Sequence, residues 1–419
     1  MNPSATSDSE NKREGKWSRR DWILLPMVSL LTLALLAVST ESILRWLFPV
    51  SQVGFERCFA TDDPSGDAPV KANSFCVERT AESKFPVEYR FDSRGHRVGM
   101  ELEPKQPGTY RIVMIGSSMA MGLFVPQEKS FAGVLPKELS QQIGRRIELY
   151  NEATGGKYRG GPYPLPNSVL QFKQVISDSP DMILWIVTPM DIENADPGSH
   201  SPVLQTATSG IAAPASEPTH PTNVWSKFWN AVANGTLGDK LHSRWEESRT
   251  SVVLKHFLIA NESQDQYVTS YLKNEDEAGF LKTQPNLKWL HLLQVFQSDA
   301  AKFAQQAKSA GIPFVAVLVP NRAQAAMVSM GQWPQGYDPY KLDDELRAVI
   351  QANGGTYIDI LSNFRKIPSP ERYYFPVDGH LDAEGHAVIS GLLTESLTGG
   401  AIPALKAVPQ PQIALTQGR

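Results

Sequence analysis

The 419-residue chain is long enough for one large domain with insertions or for two domains. Its apolar and charged fractions, 41% and 20%, are those of a globular protein, and a formal charge of −4 gives no field that would favour nucleic acid. The two cysteines, with no histidine near them, are too few for a zinc site, so neither a metal nor a cofactor is expected.

The first 21 residues are polar and gather Lys12, Arg13, Lys16, Arg19 and Arg20 just before an uncharged run from Trp22 to Thr40. At about 1.5 Å per residue that run spans roughly 28 Å, close to the hydrocarbon thickness of a bilayer. Glu41 follows it, so the positive-inside rule puts residues 1–21 in the cytoplasm and everything after about 45 outside. Pro26 lies near the start of the span, where a helix tolerates it best. A cleaved signal peptide is the competing reading, because Ala37-Val38-Ser39 loosely resembles a cleavage site. Against it, the run is longer than a signal core, and Ile43, Leu44, Trp46, Leu47 and Phe48 continue the apolar character. The expectation is a 22–48 anchor in an inner membrane, crossing once, with the rest facing the periplasm or cell exterior. In that compartment Cys58 and Cys76 read as a disulfide closing a polar loop.

Residues 49–110 form a lead-in that is loop-like to about 85. The segment from Pro86 to Gly99 then alternates apolar and polar residues around Ser93-Arg94-Gly95, which predicts a β-hairpin. From there strands and helices alternate, as in a doubly wound fold. The strands are expected at 112–115, 146–150, 181–187, 313–319 and 356–360. Helices are expected at about 128–143, 165–176, 286–310, 341–353 and 383–397. Between the two halves of this domain, 111–196 and 286–402, lies an insertion at 197–285. Its first part is rich in Ser, Thr, Ala and Pro, and its second carries Trp225, Trp229, Trp245 and Phe257 at roughly helical spacing. Plain core packing is the favoured reading of those aromatics. The tail at 403–419 is expected to fray.

Two stretches carry chemistry. Ile112 to Ile115 is an apolar, β-branched run suited to a buried parallel strand, and Gly116-Ser117-Ser118 follows it before the next helix. Strand, tight turn and helix lift a serine hydroxyl clear of the sheet edge where open α/β sheets bind ligands. A serine needs a base, and the base needs a carboxylate to fix its tautomer and stabilise its cation. Asp378 and His380 have those types two apart; in an extended segment they would point the same way. His386 falls within the last helix and reads as a helix-face residue.

Gly116-Ser117-Ser118-Met119-Ala120-Met121-Gly122 resembles the first block of the SGNH, or GDSL-type, hydrolase superfamily, G-D-S-x-x-x-G, with Ser117 in place of the aspartate. The segment from Tyr89 to Arg97 also resembles the strand pair that often precedes that block. Asn151 to Gly156 resembles the second block, Thr188-Pro189-Met190-Asp191 falls where G-x-N-D is expected, and the stretch from Asp378 to His386 resembles the last block. The match runs from about Pro86 to Thr398, leaving out 197–285.

The resemblance implies a doubly wound, mostly parallel five-stranded sheet of flavodoxin-like order. It also implies Ser118 as nucleophile, His380 as base and Asp378 as acid, with the N–H groups of Ser118 and Gly156 in the oxyanion hole. Met190 stands where the family has an asparagine donor, and a thioether cannot donate. Of the groups near strand ends (Asn194, Asn321, Arg322), Asn321 is the first choice to replace it.

The implied activity is a serine esterase acting on a carbohydrate or lipid ester outside the membrane. An alternative passes the acyl group to a sugar hydroxyl of an envelope or exopolysaccharide, with a multispanning acyl-donor protein as partner; the last block also resembles polysaccharide O-acetyltransferase relatives. A further alternative, motivated by Met190 and Ser117, is a non-catalytic binding or assembly protein.

Overall fold

The computed structural model describes residues 19–48, 58, 70–80, 82–83, 85–97, 99, 102–153, 170–193, 248–274 and 277–406. Helix α1, Arg19–Leu47, comes first. Its stretch from Trp22 to Leu47, with a mean hydropathy of 2.2 and wholly exposed, is long and apolar enough to cross a membrane. The sulfurs of Cys58 and Cys76 lie at bonding distance, 2.10 Å.

Strand β1, Phe75–Glu78, pairs antiparallel with β2, Val87–Arg90, with Cys76 opposite Tyr89. This corrects the hairpin expected at 86–99. The turn at Ser93-Arg94-Gly95 does form, since the Asp92 carboxylate accepts the N–H groups of Arg94 and His96 at 2.8 and 2.9 Å. Only the bridge between Phe91 and Arg97 closes it, and β2 takes its ladder from the disulfide-bonded segment instead. Alternation marks which side chains go inward and leaves the partner strand undetermined.

The central sheet holds β3, Tyr110–Ile115; β4, Ile147–Asn151; β5, Met182–Val187; β6, Phe314–Leu318; and β7, Thr356–Ile358, in spatial order β4-β3-β5-β6-β7, all parallel. The first strand in sequence thus lies second in space and the order reverses beside it, which is the flavodoxin-like arrangement with its switch point at the end of β3. Alternate residues serve opposite layers. Ile112 and Met114 face one core with helices α3, Phe131–Ile143, and α11, Ala383–Ser396, whereas Val113 and Ile115 face a second core with α8, Leu287–Ser309, and α10, Lys341–Ala352.

The connecting helices complete the chain. Two short ones, α2 (Ser118–Met121) and α5 (Pro189–Glu193), follow β3 and β5, and α4 (Leu170–Ser177) precedes β5. Helices α6 (Arg249–Ala260) and α7 (Gln264–Tyr271) belong to the insertion, and α9 (Arg322–Met330) follows β6. Ser130, Ser248, Ser263, Asn286, Asn321 and Asp382 cap α3, α6, α7, α8, α9 and α11, each accepting a first-turn N–H, an interaction worth about 1 kcal/mol apiece.

Several expectations change. Helix α9 has no counterpart in the sequence reading, although its Asn321 cap and Ala-rich run favour it. Phe257, assigned to a core, is 64% exposed on α6; Trp225, Trp229 and Trp245 lie outside the described residues. The chain after 402 does not fray at once, because Pro403–Leu405 forms a turn that buries Leu405.

Candidate active site

Gly116 ends β3 at a φ of +154°, and a Cβ there would meet the Ala120 side chain and the Ile186 carbonyl at 2.7 Å. Only glycine lets the chain turn this close to the neighbouring strand. Ser117 then caps α2 in extended conformation, and Ser118 is its first residue, buried at the carboxyl edge of the sheet.

The partner histidine arrives from the other end of the chain. Gly379 adopts a φ of +85°, so 378–380 is a tight turn rather than the extended segment expected from the sequence. Phe375 N–H donates to the His380 carbonyl at 2.8 Å and Gly379 N–H to the Phe375 carbonyl at 2.9 Å, closing the loop on itself. Inside the turn one Asp378 oxygen accepts both the His380 N–H, at 3.1 Å, and the imidazole Nδ1–H, at 2.5 Å. That bond leaves the lone pair on Nε2, which lies 2.7 Å from Ser118 Oγ. The structure therefore brings Ser118, His380 and Asp378 into one hydrogen-bonded chain. The His380 side chain is 13% exposed and that of Asp378 31%, so the relay sits at the wall of an open cavity.

Residues that the sequence did not single out hold this loop. Glu82, nearly buried, accepts the backbone N–H groups of Val377 and Asp378 at 3.0 and 2.9 Å and contacts His256 Nδ1 at 2.8 Å. The Arg322 guanidinium donates to the carbonyls of Glu371 and Pro376 at 3.0 and 2.8 Å and lies 4.0 Å over the Tyr267 ring. The Phe124 ring stands edge-on to His380, centroids 5.5 Å apart, from a backbone φ of +64°. A bulky side chain in that region is strained, and such strain gathers at functional sites. No local signal marks these groups; each acts across a long sequence separation.

The turn after β5 is built differently. Thr188 precedes Pro189 at the start of α5, and Asp191 accepts the Thr188 N–H at 2.7 Å and its hydroxyl at 2.9 Å, a capping arrangement. Asp191 also accepts the Ser117 hydroxyl, and its burial raises the carboxyl above its ordinary value, opposed by those hydrogen bonds and by the nearby His380. Ser117 is thus tied to a carboxylate while Ser118 faces the imidazole. Met190, 47% exposed, lines the cavity.

Of the proposed oxyanion groups, Gly156 lies outside the described residues, as does Asn194. Asn321 lines the cavity, but its Oδ1 caps α9 and one Nδ2 hydrogen is given to Tyr271 Oη at 2.9 Å. The cavity has a volume of about 520 Å³, and Tyr267, Tyr271, Trp289, Glu193 and Glu277 form its far side. Among the described residues, no group of three or more His, Cys, Asp or Glu side chains could hold a metal.

Sheet order and hydrogen-bond chain together describe an α/β protein with a serine–histidine–aspartate array at the switch-point edge. A solved structure similar to this chain is that of a lipase/acylhydrolase from Enterococcus faecalis, 10% identical, with 72% of this chain and 99% of that chain covered and a TM-score of 0.30. Neither a protein-family model nor a curated protein matches the chain.

Proposed function

We propose that this chain is a serine esterase of SGNH, or GDSL, type, anchored by α1 and acting outside the cytoplasmic membrane on a carbohydrate or lipid ester. The observation that carries this reading is the contact of Ser118 Oγ with His380 Nε2 at 2.7 Å, together with that of His380 Nδ1 with Asp378 at 2.5 Å. Ser118 Oγ attacks the ester carbonyl as Nε2 takes its proton, and Asp378 stabilises the imidazolium. The tetrahedral intermediate expels the alcohol, which receives the proton from His380 and leaves an acyl-serine. Water, deprotonated by the same imidazole, then releases the acid.

The oxyanion is assigned to the backbone N–H groups of Ser118 and Gly156, with the remaining Asn321 amide hydrogen as a third donor. A hole one donor short costs on the order of 100- to 1000-fold in turnover. With Met190 at the asparagine position, moderate turnover is expected.

Acyl transfer to a sugar hydroxyl is the second reading. The aromatic rings of Tyr267, Tyr271 and Trp289 beside Glu193 and Glu277 favour it, because a sugar ring stacks on aromatic faces while carboxylates accept its hydroxyls. The non-catalytic reading is weakened by the assembled relay.

The test is reaction of the detergent-solubilised full chain with a fluorophosphonate probe, followed by p-nitrophenyl acetate. Labelling at Ser118, lost in Ser118→Ala, is the expected result. A folded protein that does not label, or labels at Ser117, would sink the proposal. Acetyl transfer to an added oligosaccharide in preference to water would select the second reading.

A further inference from the structure

Helix α6 joins three parts of the molecule. At its amino end, the Glu41 carboxylate of α1 accepts the N–H groups of Arg249 and Thr250 at 3.0 and 2.9 Å and the Thr250 hydroxyl at 2.7 Å. In its middle, His256 meets Glu82, which holds the backbone of the Asp378 loop. Near its carboxyl end, Ile259 lines the cavity beside Ser118. The remaining face is apolar and open. Leu254, Phe257 and Leu258, 46%, 64% and 55% exposed, recur at the spacing of one helix face.

The position of Glu41 supplies the occupant. Counting from Trp22 at about 1.5 Å per residue, Glu41 lies roughly 28 Å along α1, the depth at which an apolar helix leaves the hydrocarbon of a bilayer. The α6 amino terminus is bonded to that level. Trp46 on α1, 80% exposed, lies just beyond it, at the height where indole rings settle between headgroups. The exposed face of α6 is thus continuous with the lipid-facing surface of α1, and Arg249 and Lys255 on α6 supply cations for phosphate headgroups.

We propose that α6 is seated in the membrane–water interface, with Leu254, Phe257 and Leu258 among the lipids, so that the cavity at Ser118 takes its ester from the membrane surface. The inference rests on α1 spanning the bilayer and deepens the esterase reading by naming a surface-borne, amphiphilic ester as substrate.

The experiment uses the full chain in vesicles of phosphatidylethanolamine and phosphatidylglycerol. Its native cysteines are joined to each other, so a single added cysteine, Phe257→Cys, carries an environment-sensitive fluorophore. Arg146→Cys serves as control, at the start of β4 on the sheet edge opposite the site. The label at 257 should be quenched by spin-labelled lipid and protected several-fold from aqueous iodide relative to the label at 146. Iodide reaching both labels equally would overturn the proposal.

Flotation with the vesicles reports α1 insertion separately, and fluorophosphonate labelling of Ser118 reports the esterase reading. Failure of either is therefore distinguishable from failure at α6. A chain that does not float would overturn the spanning reading and this one with it. The double variant Phe257→Glu/Leu258→Glu should lose several-fold turnover on a vesicle-borne ester while keeping its turnover of p-nitrophenyl acetate. Undiminished turnover on both would overturn the claim that the ester is collected at the lipid surface.

Discussion

His380 and His386 lie six residues apart in one segment and have opposite environments. His380 is partly exposed, with a carboxylate on Nδ1 and a serine hydroxyl on Nε2. His386 is buried in α11, where Nδ1 accepts the Phe131 N–H at 3.2 Å, the ring packs on Phe131 with centroids 4.9 Å apart, and Nε2 has no partner. Burial pushes its pKa down to about 3, helped by the positive charges of Arg97 and His380. An imidazole acts as a base only where its cation is stabilised. Asp378 does that for His380, and nothing does it for His386, which remains a neutral core residue.

The largest effects should come from breaking the His380 side. Ser118→Ala and His380→Ala should each lower ester turnover by on the order of 10⁴-fold or more, with unchanged far-ultraviolet circular dichroism. If either folded variant keeps turnover within tenfold, the assignment of that side chain fails. Asp378→Asn leaves a group of the same shape that cannot stabilise the imidazolium, and should cost up to about 10⁴-fold in kcat with little change in KM. A change confined to KM would make Asp378 a binding residue.

On the other side, His386→Phe should leave kcat within about twofold and change the pH dependence of stability instead. The unfolded histidine titrates near 6.5 and the folded one at about 3. Between those values the unfolded state binds the extra proton, so stability is lost as pH falls, by about 1.4 kcal/mol per unit. Phenylalanine removes that contribution. Urea midpoints at pH 7, 6 and 5 should fall less steeply in the variant than in the parent, and parallel slopes would refute the burial argument. The smallest effect is expected for Ser117→Ala, which takes one donor from Asp191. Its fluorophosphonate labelling should persist at a rate lower by less than about tenfold, consistent with the loss of one hydrogen bond.

Much of the sheet was legible because each of its strands is a short β-branched apolar run, and burial on both faces requires that composition. The Ser118 register and the Asp378/His380 pair were legible for a related reason: each is a local pattern. The partner of β2 was not, since 75–78 and 86–99 offered competing pairings and the disulfide-bonded segment took the ladder. The supports of the histidine loop were also hidden. Glu82 acts across 296 positions on the Asp378 N–H, and Arg322 across 54 on Pro376, at separations that leave no periodic trace.

By itself the sequence determined the apolar span, the five strands, the serine turn and an acid–base pair, because those depend on composition and on neighbours a few residues away. Tertiary structure alone decided that Ser118 meets His380 across 262 positions, that Ser117 is given to Asp191, and that the aromatic face of α6 is left open instead of entering a core. Those outcomes depend on which groups the fold desolvates together, and burial strengthens or forbids charge only after the chain has closed.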